Sequence, residues 1–158
     1  MKLSKNLSLS EVTKSQQAIK LGISNEPTPE HLENLKLLAE KVFQPIREHF
    51  GVPIFISSGY RSEALNKAVK GSKTSQHCKG EAIDIDMDGT SVSNADVFEF
   101  IQDNLEFSQL IAEFPKNGNP SWVHVGYDKN NLKKEILVAK KINGKTIYSK
   151  YNNEKDLI

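Results

Sequence analysis

The chain has 158 residues, 37% of them apolar and 26% charged, with a net charge of +1. That length suits one domain with a real core, and nothing in the near-neutral balance favours nucleic acid or an anionic membrane surface as the main partner. No apolar run approaches the roughly 20 residues that span a bilayer, and the lone Cys78 excludes an internal disulfide.

The N-terminus, Met1-Lys2-Leu3-Ser4-Lys5-Asn6, lacks the apolar stretch of a secretory signal. The expectation is therefore synthesis in the cytosol, with any extracellular site of action reached by another exit route. Ser8-x-x-Glu11 reads as a capping box ahead of a short helix that carries Val12, Ala18 and Ile19 and stops at Gly22. Asn25-Glu26-Pro27 breaks the pattern, and Thr28-Pro29 fits the cap and first position of a longer helix. Leu32, Leu35, Leu38, Ala39, Val42, Ile46 and Phe50 then recur at helical spacing up to Gly51. Pro45 lies inside that run and is predicted to kink it one turn before its end. His31 and His49 fall outside the apolar stripe and read as solvated side chains.

After Gly51 the texture changes to short strands and loops. Val52–Ser57 is a β-rich run, Ser58-Gly59-Tyr60-Arg61 a turn, and Ser62–Val69 a short helix. Across Ala82–Met87, Ile83, Ile85 and Met87 fall on one strand face and Ala82, Asp84 and Asp86 on the other, which aims Asp84 at a cleft. A helix is predicted over Asn94–Asn104, strands over Phe107–Phe114 and Trp122–Tyr127, and a hairpin over Ile136–Tyr148 turned at Asn143-Gly144. No repeat or linker interrupts the chain. The expected fold is a single α+β domain over residues 1–158, a small antiparallel sheet with flanking helices. Its helical part covers about 8–50, its core about 52–127 and its C-terminal hairpin about 132–151.

Two segments carry chemistry. His77 and Asp84 stand seven positions apart, and His124 follows forty residues after Asp84, each in or beside a strand pattern. Two imidazoles and a carboxylate suit zinc and leave its fourth tetrahedral position to water, whereas a closed structural site favours four ligands, usually thiolates. Read from the residues alone, this three-ligand set stands level with two hydrogen-bonded strand histidines. A Cys78–His77 nucleophile pair is disfavoured, because adjacent residues in an extended chain point apart.

The order Ser58-Gly59-Tyr60-Arg61-Ser62, Leu65-Asn66, Val69, Gly71, Ser75-Gln76-His77, Gly80, Ala82, Asp84 and Trp122-Val123-His124-Val125 resembles the zinc D-alanyl-D-alanine peptidases, the M15 peptidases. The similarity is greatest to the branch of phage endolysins and related cell-wall hydrolases, and it spans about Val52–Tyr127. The resemblance implies the Hedgehog/DD-peptidase fold, with His77, Asp84 and His124 holding Zn²⁺. It also implies that Arg61 faces the scissile carbonyl oxygen and that Ser75 helps bind substrate. The implied substrate is the peptidoglycan stem peptide, cut as a D-Ala-D-Ala carboxypeptidase or an L-Ala-D-Glu endopeptidase, by a monomer with no nucleic-acid partner and no membrane insertion. A phage or prophage lysin acting on the wall after release, or as a virion component, fits the missing signal.

One position departs from that family. Many members carry the catalytic carboxylate three residues before the last histidine ligand, where this chain has Ser121. Glu113 is the substitute. If Phe107–Phe114 and Ser121–Tyr127 pair through the Pro115–Pro120 loop, Glu113 lies opposite Trp122 and on the face of His124. A register slip of one residue would turn it away, and Asp86 is then the next candidate. A non-catalytic zinc-bearing wall-binding or structural module is the alternative function.

Overall fold

In the computed structural model, which describes residues 1–158, the chain is α+β. It opens with a two-stranded ribbon, β1 (Lys2–Ser4) and β2 (Leu7–Ser8). Its Leu3 and Leu7 are buried in the core. The apolar pair is too short to give a periodic signal in the sequence. Helix α1 (Leu9–Thr13) follows, entered through the expected box: the Ser8 N–H donates to the Glu11 carboxylate at 2.8 Å. Helix α2 (Gln16–Leu21) ends at Gly22 in the left-handed region.

The long amphipathic segment is three pieces. Helix α3 (Pro29–Leu38) is capped by the Thr28 hydroxyl, which accepts from the His31 N–H. A π-helical turn (Ala39–Phe43) then leads into α4 (Gln44–Phe50). Pro45 explains the turn. Its nitrogen cannot donate and its ring crowds the preceding turn, and the Gln44 N–H reaches back to the Ala39 carbonyl in the wider register. The apolar stripe stays continuous through this change, with Leu35, Leu38, Val42 and Ile46 at most 1% exposed. His49 is solvent-exposed as expected, whereas His31 is not simply solvated. His31 Nδ1 lies 3.0 Å from the Tyr60 hydroxyl, and the exposed His49 stacks on Phe100 at 4.1 Å.

The rest of the chain builds a six-stranded sheet around α5 (Glu63–Ala68) and α6 (Asn94–Asn104). Its strands are β3 (Ile56–Ser58), β4 (Ala82–Ile85), β5 (Gln109–Glu113), β6 (Trp122–Gly126), β7 (Glu135–Ile142) and β8 (Lys145–Lys150). They run in the order β3-β4-β6-β5-β7-β8. The expected antiparallel pairing holds except between β5 and β7, which are parallel. Strand β6 ends beside the start of β5, and the loop 127–134 crosses over at that same end, so β7 runs parallel to β5. The strand expected over Val52–Ser57 shrinks to its last residues, because Pro53 lacks a ladder donor.

One face of the sheet is packed and the other is open. Ile83, Ile85, Leu110, Ala112, Val123, Val125 and Val138 join a core of 26 buried residues with the stripe of α3–α4 and with Val97, Phe98 and Ile101 of α6. Alternation then forces Asp84, Glu113, Trp122 and His124 to the opposite face.

Candidate active site

One local turn and one strand ladder bring the three donors together. The Ser75 hydroxyl accepts from the His77 N–H at 3.3 Å and starts a single 3₁₀ turn, Gln76–Lys79, which Gly80 closes with φ 73. That reversal feeds β4 and sets His77 over Asp84. The ladder does the rest, because Asp84 and His124 are direct partners across β4 and β6. His77 Nε2 lies 3.2 Å and His124 Nδ1 3.0 Å from the same oxygen, Asp84 Oδ1. The three ligand atoms are within 4.8 Å of one another.

The donor chemistry fits a cation. His77 Nδ1 is 2.7 Å from the Gly59 carbonyl oxygen. A carbonyl only accepts, so Nδ1 carries the proton and a neutral His77 turns the lone pair of Nε2 toward Asp84. Two lone pairs facing one another across 3.2 Å repel, and only a proton or a metal ion between them makes the contact favourable. The Gly59 bond is also the outer contact that fixes a ligating imidazole's orientation. It depends on a close approach, since a Cβ on Gly59 would collide with the Val12 carbonyl. Burial alone would raise the Asp84 carboxyl, but the hydrogen bonds and charge of His124 and His77 outweigh it and hold it well below the usual carboxylate range. The carboxylate is thus ready to bind a cation at any ordinary pH.

Around the triad lies a cleft of about 750 Å³. Glu113 lines it, and the expected register holds: Glu113 pairs with Trp122, and Ile111 with His124. The Glu113 residue is 7% exposed. Burial, then the nearby Asp84 charge, push its carboxyl up to about 7, only partly offset by His77. A carboxyl poised there exchanges protons near neutrality. Ser121, by contrast, is exposed and donates to the Phe114 carbonyl at 2.7 Å. Asp86, the fallback base, accepts from the Asn94 side chain at 3.1 Å, beyond the end of β4 and outside the cleft lining.

Arg61 and Ser75 line the cleft together, with the Arg61 guanidinium donating to the Ser75 hydroxyl at 3.2 Å. Arg61 Nε, Gln76 Oε1 and His124 Nε2 are buried without a hydrogen-bond partner in the protein, and all three residues line this cleft. Buried polar atoms are otherwise almost always paired. Three such atoms around one cavity mark a place shaped for something polar to enter.

The far side of the cleft carries no sign in the sequence. Leu137 of β7 and Tyr148 of β8 line it too, beside Asp128, Asn131 and Lys133. No motif signals them, because the parallel β5–β7 pairing that brings them in has no local signature. In comparison with known proteins, the profile of the peptidase M15 family matches residues 5–126. No curated protein matches the chain.

Proposed function

The chain belongs to the peptidase M15 family, and from that membership together with the cleft we propose a zinc-dependent hydrolase of peptidoglycan stem peptides. The observation that carries the proposal is the convergence of His77, Asp84 and His124 on one point of an open cleft, with no fourth protein ligand. A Zn²⁺ ion held there supplies Lewis acidity toward the amide carbonyl and acidifies water. Glu113 is the general base, taking the proton of the attacking water and returning it to the leaving amine. Its raised pKa and its place beside His124 support that role. Arg61, with its unpartnered Nε, donates to the oxyanion as it forms. Ser75, bonded to Arg61, orients that guanidinium and contributes to substrate binding.

The similarity of Gln109–Glu113 and Trp122–Val125 to the phage branch supports reading the proposed enzyme as a lysin-type wall hydrolase. We take the chain as one catalytic domain that works as a monomer. The test is a digest of purified peptidoglycan by zinc-loaded protein, read by mass spectrometry of the released fragments. Loss of a terminal D-Ala identifies a carboxypeptidase, and stems freed at L-Ala-D-Glu identify an endopeptidase. Intact stems after exhaustive digestion reject hydrolysis and leave a zinc-bearing binding module, the reading that Ser121 keeps in view.

A further inference from the structure

The matched family region ends at residue 126, yet the cleft does not. The sheet register continues it. One row of side chains runs Trp122, Glu113, Ala139, Tyr148 across β6, β5, β7 and β8, and the neighbouring row runs His124, Ile111, Leu137, Lys150. Directly paired residues share a sheet face, so Tyr148 and Leu137 stand on the face that holds the metal donors. Ala139, between Glu113 and Tyr148 in the row, is fully buried and small. It leaves the tyrosine ring free to lean toward Glu113. The Tyr148 residue is 54% exposed, and no protein atom accepts from its hydroxyl. Such a side chain contributes little to the core, so its placement calls for another account.

We propose that the β7–β8 hairpin is the second wall of the substrate cleft, with Tyr148 contacting the bound peptide opposite Arg61 and Ser75. The phenol hydroxyl donates to a backbone carbonyl of the peptide, while its ring and Leu137 cover a small apolar side chain such as alanine. Burial, then the charges of Glu113 and Asp84, keep the phenol protonated and therefore a donor. The role is substrate binding, distinct from proton transfer. The inference rests on the hydrolase reading for the identity of the peptide, and on the register for its position.

The test uses zinc-loaded Glu113→Gln protein, which is expected to bind without cleaving, and the stem pentapeptide L-Ala-γ-D-Glu-L-Lys-D-Ala-D-Ala as probe. Trp122 is the only tryptophan and lines the cleft, so its fluorescence reports binding. Adding Tyr148→Phe should weaken Kd by about 3–10-fold, the value of one hydrogen bond. Adding Tyr148→Ala should weaken it more than about tenfold, with zinc content unchanged, because ring burial is lost as well. In the otherwise native enzyme both changes should act through KM more than kcat. Unchanged peptide affinity in Tyr148→Ala overturns the proposal, as does the absence of any binding to the Glu113→Gln parent at millimolar peptide. Peptide that binds in a Tyr148-dependent way but is never cut by native protein sinks the hydrolase reading alone.

Discussion

The sheet has two halves built on opposite terms. Its inner strands β4, β6 and β5 each have a partner on both sides, and their backs, Ile83, Ile85, Val123, Val125, Leu110 and Ala112, are wholly excluded from solvent. Every proposed metal ligand on a strand, and Glu113, rises from these three. The outer hairpin is different. All of β8 is exposed, and residues 129–150 hold seven lysines against the single acid Glu135. Lysines on an exposed edge resist pairing with other chains, so β8 is guarded by charge and held only through β7, whose Val138 and Ala139 are buried. Donor geometry must hold to fractions of an ångström, and only the inner half offers such a frame. The hairpin offers a surface that tolerates change.

The contrast predicts that the same kind of substitution costs orders of magnitude on one side and little on the other. His124→Ala should drop bound zinc from about one per chain to near none and remove hydrolysis. Circular dichroism should stay native, since the core forms without the metal. Elemental analysis after chelator-free purification checks the first part. Retained stoichiometric zinc would break the assignment. Next in size, Glu113→Gln should lower kcat by about 10²–10⁴ with zinc unchanged. Arg61→Ala should lower it by about 10²–10³, again leaving the metal in place, because its charge is needed where the oxyanion forms. Near-native turnover in either variant would reassign that role.

Much of the inner half was legible in the sequence because its physics is local and periodic. Alternation over 82–87 aimed Asp84 outward, and a tight loop between two apolar runs set Glu113 opposite Trp122. Caps at Ser8, Thr28 and the Asn143-Gly144 turn were equally readable, with Asn143 at φ 52 and Gly144 at φ 77 as a type I′ turn requires. The β1–β2 ribbon, the β5–β7 pairing and the Tyr148 wall were not. The ribbon is too short to show a period, and the other two depend on which distant segment comes to lie alongside, which neither propensity nor spacing encodes. His31 was misread for a related reason: its partner Tyr60 is remote in sequence.

A pH experiment sharpens the comparison further. The Glu113 carboxyl is raised from 4.5 to about 7 in the folded protein, mainly by burial. Below about pH 4.5 it is neutral folded or unfolded and carries no penalty. As pH rises toward 7 the unfolded chain ionises first, so the folded state loses stability, and above 7 the full loss persists. Metal-free Glu113→Gln should therefore be more stable than native protein at pH 8, by about 2–3 kcal/mol once solvent screening of the cleft-lining carboxyl is discounted, and indistinguishable at pH 4. Urea unfolding in chelator at both values measures this. An equal difference at both would mean that packing, not charge, separates the two proteins.

The smallest effect belongs to the hairpin tip. Gly144→Ala places a Cβ in the left-handed region with nothing within 4 Å to obstruct it. The strain is then purely one of backbone, on the order of 1 kcal/mol. Because β8 is exposed throughout and pairs only with β7, that strain should be relieved by local opening and not shared with the core. Amide exchange in β8 should speed by about fivefold, the equivalent of that strain, while the amides of β4 and β6 keep their protection and zinc stays bound. The proposed Tyr148 contact would loosen in parallel, raising KM for the stem peptide by a factor of about two to five on the same energy scale. If the variant instead sheds zinc, strain at the tip has travelled through β7 and β5 to the ligands. The two halves would then be one cooperative unit, and the hairpin would be part of the frame that holds the metal.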